Sequence, residues 1–199
     1  MTRVVKSTAE GIAVVERDGP PGSGVLLDVA AASICGTDLH LARFGALPFV
    51  LGHELAGRVG GVPYAIEPTL FCGHCAQCGI GATQRCVGCL SLMGFFSDGG
   101  MADAVRVPES ALVPLPDTLP LADACLVEPL AVAIHAVRRA ELQPGQTVAV
   151  VGGGASASPW WPPWWPTATS PCSTRDTPIS RRRPKGWGRA SGPCREPTS

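Results

Sequence analysis

Cys72, Cys75, Cys78 and Cys86 follow the pattern C-x2-C-x2-C-x7-C. Four thiolates at such spacing can surround one tetrahedral zinc ion at about 2.3 Å each. The thiols must lose their protons to bind, and the binding free energy then orders a Gly-rich loop that has little apolar content of its own. Free or redox-active thiols are the competing reading, but they leave the short regular spacing without a purpose. Cys89 falls outside the tetrad and Cys125 sits on an apolar helical face, so both read as ordinary buried thiols.

A closed tetrad has no open coordination position, so chemistry must lie elsewhere. The candidates are Cys35, in Cys35-Gly36-Thr37-Asp38-Leu39-His40, and His53 with Glu54, in Gly52-His53-Glu54. One thiolate, one imidazole and one or two carboxylates can hold a zinc ion and leave room for water or a substrate oxygen. Taken singly, each also reads as a buried cysteine, a satisfied histidine or a solvated glutamate.

Short Val-rich segments separated by Gly and Pro must position these groups. Residues 4–6, 11–16, 24–31, 55–59, 64–66 and 102–107 read as strands, the last with clean period-two alternation. An all-β, barrel-like domain fits them, and residues 72–89 form a lobe within it. After Pro116 the period changes: residues 120–126 and 129–140 place apolar side chains at helical spacing, with Pro129 suited to a first turn and Arg138 and Arg139 near the C-terminal end. Residues 147–151 form a continuous apolar run bounded by glycines, as in the first buried strand of a parallel sheet.

The 199 residues are 45% hydrophobic, enough for a packed core. Their formal net charge of +0 cancels two unlike halves, because residues 1–154 are mildly acidic whereas residues 155–199 are strongly basic and hold all five tryptophans. No leader opens the chain and no run of about 18 apolar residues could span a bilayer, so a cytoplasmic protein is expected. In a reducing compartment nine cysteines point to metal rather than disulfides.

The succession of Cys35-Gly36-Thr37-Asp38-Leu39-His40, Gly52-His53-Glu54, the four-cysteine lobe, Asp98-Gly99-Gly100-Met101-Ala102-Asp103 and Val127-Glu128-Pro129-Leu130-Ala131-Val132-Ala133-Ile134-His135-Ala136 resembles the zinc-dependent medium-chain dehydrogenase family over residues 1–154. It is similar to the sorbitol and threonine dehydrogenase branch, which carries a glutamate at the position of Glu128. The resemblance implies a mainly β fold: a GroES-like, partly open β-barrel catalytic domain over 1–126, then the truncated start of a Rossmann α/β domain over 127–154.

It also implies that Cys35 and His53 are catalytic zinc ligands, with Glu54 and Glu128 coordinating directly, in exchange or through water. Zinc would polarise the oxygen of an alcohol or polyol substrate so that hydride can pass to NAD or NADP. Thr37 matches a hydroxyl contact to the alcohol, His40 a proton-relay position, and Asp38 an acceptor for a ligand histidine. A helix-terminal carboxylate and a surface histidine are the plain alternatives for Glu128 and His40. Relatives are homo-oligomeric, and neither nucleic acid nor membrane is an expected partner. The stretches between Cys35 and His53, and between Glu54 and Cys72, are shorter than in larger family members.

Gly152 and Gly154 resemble the cofactor-binding glycine turn of a dinucleotide fold. Ala157 stands where a further glycine belongs, and Pro159, Pro162 and Pro163 forbid the helix that should follow. Residues 155–199 read as an irregular tail from a shifted reading frame. Trp has the single codon TGG, so the displaced frame turns Trp160-Trp161 into valine and Trp161-Pro162 into alanine. One allowed text restores the missing glycine, an apolar helix and a second strand ending in aspartate. This chain would then be an inactive fragment of a dehydrogenase. The alternatives are a non-catalytic zinc-binding remnant and a short protein with a real basic Trp/Arg-rich interaction tail. Resequencing the DNA across codons 150 to 160 is expected to expose the displaced base; a clean in-frame read, with an intact mass to match, refutes it.

Overall fold

The computed structural model describes residues 1–88, 90–143 and 146. Cys89, the expected strand at 147–151, Gly152, Gly154 and the tail at 155–199 lie outside them.

Strands β1 (Thr2–Thr8) and β2 (Gly11–Arg17) pair antiparallel from Thr2↔Arg17 to Thr8↔Gly11. Five further strands, β3 (Val25–Ser33), β4 (Glu54–Val59), β5 (Val62–Ile66), β8 (Ala104–Val107) and β9 (Leu112–Pro114), form an antiparallel sheet in the order β8-β3-β4-β5-β9. This sheet does not close on itself, in keeping with an open GroES-like barrel. The hairpin joins it through a Val4↔Ala102 bridge and backbone hydrogen bonds from Val5 to Met101 and from Asp103 to Arg3. Arg3 also grips the Asp103 carboxylate, Nη2 to Oδ1 at 2.7 Å, and holds that carboxyl below its ordinary range.

Leu27, Leu55, Ile66, Met93, Val105, Val107 and Ala111 make the core, with Val25, Val29, Ala32 and Val59 packed against them. The β3–β4 pairing carries a bulge between Val29 and Ala31. Before it, odd-numbered Val25, Leu27 and Val29 face the core; after it, Ala32 does so opposite Leu55. The extra residue thus reverses the alternation and leaves Ser33 and its partner Glu54 on the face away from the core.

Helix α1 (Gly36–Leu41) follows β3 directly. Its start is a capping box in which Asp38 Oδ2 reaches back to accept the Cys35 backbone N–H at 2.8 Å. The cysteine lobe is framed by β6 (Thr69–Leu70) paired with β7 (Ser91–Leu92) and contains one turn of helix, α2 (Ala76–Gly79), and a 3-10 turn at Thr83–Arg85. Residues 120–126, expected to be helical, are mostly turns with a 3-10 segment at Ala124–Leu126, and α3 (Val127–Arg139) follows at once. Ala124 and Cys125 are buried against the sheet, and α3 contacts β4 and β5. Among the described residues no helix is long and apolar enough to cross a membrane.

The segment before His53 is packed backbone to backbone. Gly52 has φ +97, and a Cβ there would come within 2.9 Å of the Met101 nitrogen. A Cβ on Gly99 would lie 2.1 Å from the Gly52 carbonyl oxygen and 2.6 Å from that of Leu51. Neither oxygen can retreat without breaking the hydrogen bonds that hold it. Gly99→Ala is therefore expected to lower stability by about 1–3 kcal/mol or more in denaturant titrations. Gly36→Ala, with nothing within 4 Å of its new methyl, should change little.

Candidate functional site

The four tetrad sulfurs converge. Four of the six edges between them measure 3.5 Å (Cys75–Cys78), 3.5 Å (Cys72–Cys86), 4.0 Å (Cys72–Cys78) and 4.0 Å (Cys75–Cys86). A regular tetrahedron with metal–sulfur bonds of about 2.3 Å has edges of about 3.8 Å, so the sulfurs stand where a zinc ion needs them. Two adjacent thiols are driven apart in acidity. Backbone N–H groups of Cys78 and Val87 stabilise the Cys75 thiolate and lower its pKa to about 5. Desolvation and hydrogen bonding to Cys75 raise that of Cys78 to about 12. Four adjacent thiolates need a cation among them.

Cys35, His53 and Glu54 form a second cluster, each offering a ligand atom within 4.8 Å of the others. Cys35 caps α1, whereas His53 and Glu54 enter β4 on the neighbouring strand, both buried. Ser33 Oγ donates to Glu54 Oε2 at 2.5 Å and fixes that carboxylate. His53 Nδ1 is buried without a hydrogen-bond partner. The nearest acid, Asp38 Oδ1, lies 3.7 Å away, beyond a hydrogen bond.

Asp38 was expected to accept from the ligand histidine; its carboxylate instead binds backbone. Oδ2 takes the Cys35 N–H at 2.8 Å and Oδ1 the Gly52 N–H at 3.1 Å. It therefore holds the residue at, or just before, each part of the cluster. A thiolate, an imidazole and a carboxylate at these separations fit the donor set of a zinc ion with an open position.

Of the other expected residues, Thr37 and Glu128 interact with members of this cluster. Thr37 Oγ1 lies 3.6 Å from Cys35 Sγ. His40 is exposed, its ring edge-on to Phe44 at 5.4 Å. Glu128 stands outside the three-residue cluster, in the first turn of α3. Burial pushes its carboxyl above the ordinary value; His53 opposes that shift and the Glu54 charge adds to it. His74 accompanies the tetrad, its Nδ1 2.7 Å from the Cys72 carbonyl oxygen.

A family model, the alcohol dehydrogenase GroES-like domain, matches residues 21–117. The chain is 35% identical over 147 residues to an uncharacterized zinc-type alcohol dehydrogenase-like protein of Haemophilus influenzae, covering 66% of this chain and 43% of that one. It is 35% identical over 148 residues to the sorbitol dehydrogenase of Bacillus subtilis, covering 65% and 42%. Among solved structures, the short-chain alcohol dehydrogenase of Escherichia coli CFT073 in complex with NADH superposes with a TM-score of 0.71 at 27% identity, covering 79% and 51%. The chain thus spans less than half the length of these curated relatives.

The split acidities make the metal-free tetrad distinguishable by chemistry. After chelation, iodoacetamide at pH 6 is expected to label Cys75 ahead of Cys78, as peptide mass mapping would show, and prior addition of zinc should protect both. Equal labelling of the two would contradict the hydrogen-bonding pattern around them.

Proposed function

The chain belongs to the zinc-type alcohol dehydrogenase superfamily through its GroES-like domain, and from that premise we propose that it carries the metal-binding, substrate-binding portion of an alcohol or polyol dehydrogenase. In this reading Cys72, Cys75, Cys78 and Cys86 hold a structural zinc. Cys35, His53 and Glu54 hold a catalytic one, with Glu128 as a further carboxylate beside it. The convergence of Cys35, His53 and Glu54 within 4.8 Å, on two segments 18 residues apart, is the observation that carries it.

The chemistry a zinc ion supplies there is Lewis-acid polarisation of the substrate oxygen. The protein's own groups do the rest. Thr37, beside Cys35, accepts a hydrogen bond from the substrate hydroxyl and, as that proton arrives, gives up its own; His40, open to solvent, is the group from which a proton can leave for water. Glu54, held by Ser33, supplies negative charge at the buried side of the site. The acceptor is NAD or NADP, in line with similar structures solved with NADH and with NADP. A polyol substrate is favoured by the likeness to sorbitol dehydrogenase, and a reducing cytoplasmic setting would keep the thiols available for metal.

The chain spans less than half the length of the curated relatives it matches, and a second reading, for the 199-residue chain taken alone, is a zinc-binding polypeptide without turnover. Elemental analysis separates the parts of this proposal. Two zinc ions per chain are expected, with Cys75→Ser losing one and Cys35→Ser losing the other. No NADH should form when the isolated chain meets a panel of polyols. A single zinc, unaffected by Cys35→Ser, removes the catalytic-site reading; steady NADH formation by chain of verified mass removes the second.

A further inference from the structure

Arg17 and Asp98 belong to neither cluster, yet hydrogen bonds link them to Val50–Gly52, the segment that leads directly into His53. Arg17 ends β2, and its Nη1 donates to Asp98 Oδ2 at 2.6 Å, with side chains only 22% and 20% exposed. Asp98 Oδ1 accepts the Val50 N–H at 2.9 Å. The next three residues, Gly99, Gly100 and Met101, donate to the carbonyls of Val50, Gly52 and Leu51, each at 2.9 Å. From the other side Asp38 Oδ1 holds the Gly52 N–H. The buried stretch from Val50 to Gly52 is thus clamped between two carboxylates, and it ends at His53.

Arg17 supplies the outermost link of this clamp. Its Nε and Nη2 are buried without partners, so its burial costs free energy that one ion pair offsets poorly. What the pair provides is orientation: the single Nη1 contact holds Oδ2 and leaves Oδ1 for the Val50 N–H, so the carboxylate is fixed from both ends. With Asp98 so fixed, Oδ1 is aimed at Val50.

We propose that the Arg17–Asp98 pair is a positioning device for the open metal site, setting through Val50–Gly52 where His53 and Glu54 enter β4. The inference rests on the proposed reading of Cys35, His53 and Glu54 as metal ligands. Neither residue touches the metal or the substrate; both act through backbone.

Cobalt(II) titration of the full 199-residue chain tests it, because the four-thiolate and one-thiolate sites give charge-transfer absorption of different intensity. Arg17→Met is expected to weaken cobalt binding at the Cys35 site about tenfold or more, as loss of an outer partner of a ligand does. The tetrad should stay within about twofold of wild type in the same titration, since none of these bonds reaches it. Arg17→Lys, which keeps a cation beside Asp98, should recover affinity to within about threefold. Combined with Asp98→Asn, Arg17→Met should cost no more than the worse single change, because both act through one pair. Unchanged affinity in Arg17→Met, equal weakening of both sites, a Lys variant as poor as Met, or additive losses each overturn the proposal. Wild-type chain that binds cobalt only at the tetrad overturns the ligand reading itself, a distinct failure.

Discussion

A carboxylate almost without solvent must have its charge met by hydrogen bonds or by a cation. Asp38, 1% exposed, meets it with the backbone N–H groups of Cys35 and Gly52. Those amides belong to segments that the sequence separates and the sheet places side by side. One side chain therefore fixes the spacing between the thiol at the start of α1 and the imidazole at the start of β4. The remaining features of the cluster depend on that distance. Ser33 can reach Glu54 only if β3 and β4 arrive in register, and α3 brings Glu128 near His53 and Glu54 only because the helix packs on β4.

The two clusters that could hold a metal are built by opposite means. The Cys35 cluster is imposed by the sheet, with Val50, Leu51 and Leu55 buried around it and glycine backbones packed too closely for any side chain. The tetrad lobe has little such support. Ile80 and Val87 are 77% and 79% exposed, and among the described residues its regular structure amounts to two single turns between two short flanking strands. Its order has to come from the converging sulfurs and from a cation they could hold.

What the sequence disclosed followed from period and spacing. Four cysteines within fifteen residues announced the cluster that the structure brings together, and the strands β1 to β5 and β8 were legible from their side chains. Strands β6, β7 and β9, at two or three residues, are too short to show a period. The helical spacing at 120–126 gave way to turns because burying Ala124 and Cys125 against the sheet outweighs a weak local preference. Asp38 and Asp98 could be noticed only as members of recurring strings. Their partners are main-chain amides of distant segments, and such partners leave no mark on residue identity. The same holds for Arg17, whose contact with Asp98 spans 81 positions. Glu128 was pointed to by resemblance alone, since a glutamate in a first helical turn has an ordinary dipole explanation.

The bulge in β3 gives that strand two duties. Its first half turns odd-numbered side chains inward, and its last residues turn the opposite set inward, freeing Ser33 for Glu54. Substitution within the strand changes one contact at a time. A single-residue insertion or deletion after the bulge would exchange the inward and outward sets together, sending Ser33 into oil and Ala32 toward the carboxylate. Length, more than identity, is what this strand has to conserve, and a lineage could drift far in composition here while never gaining or losing a codon.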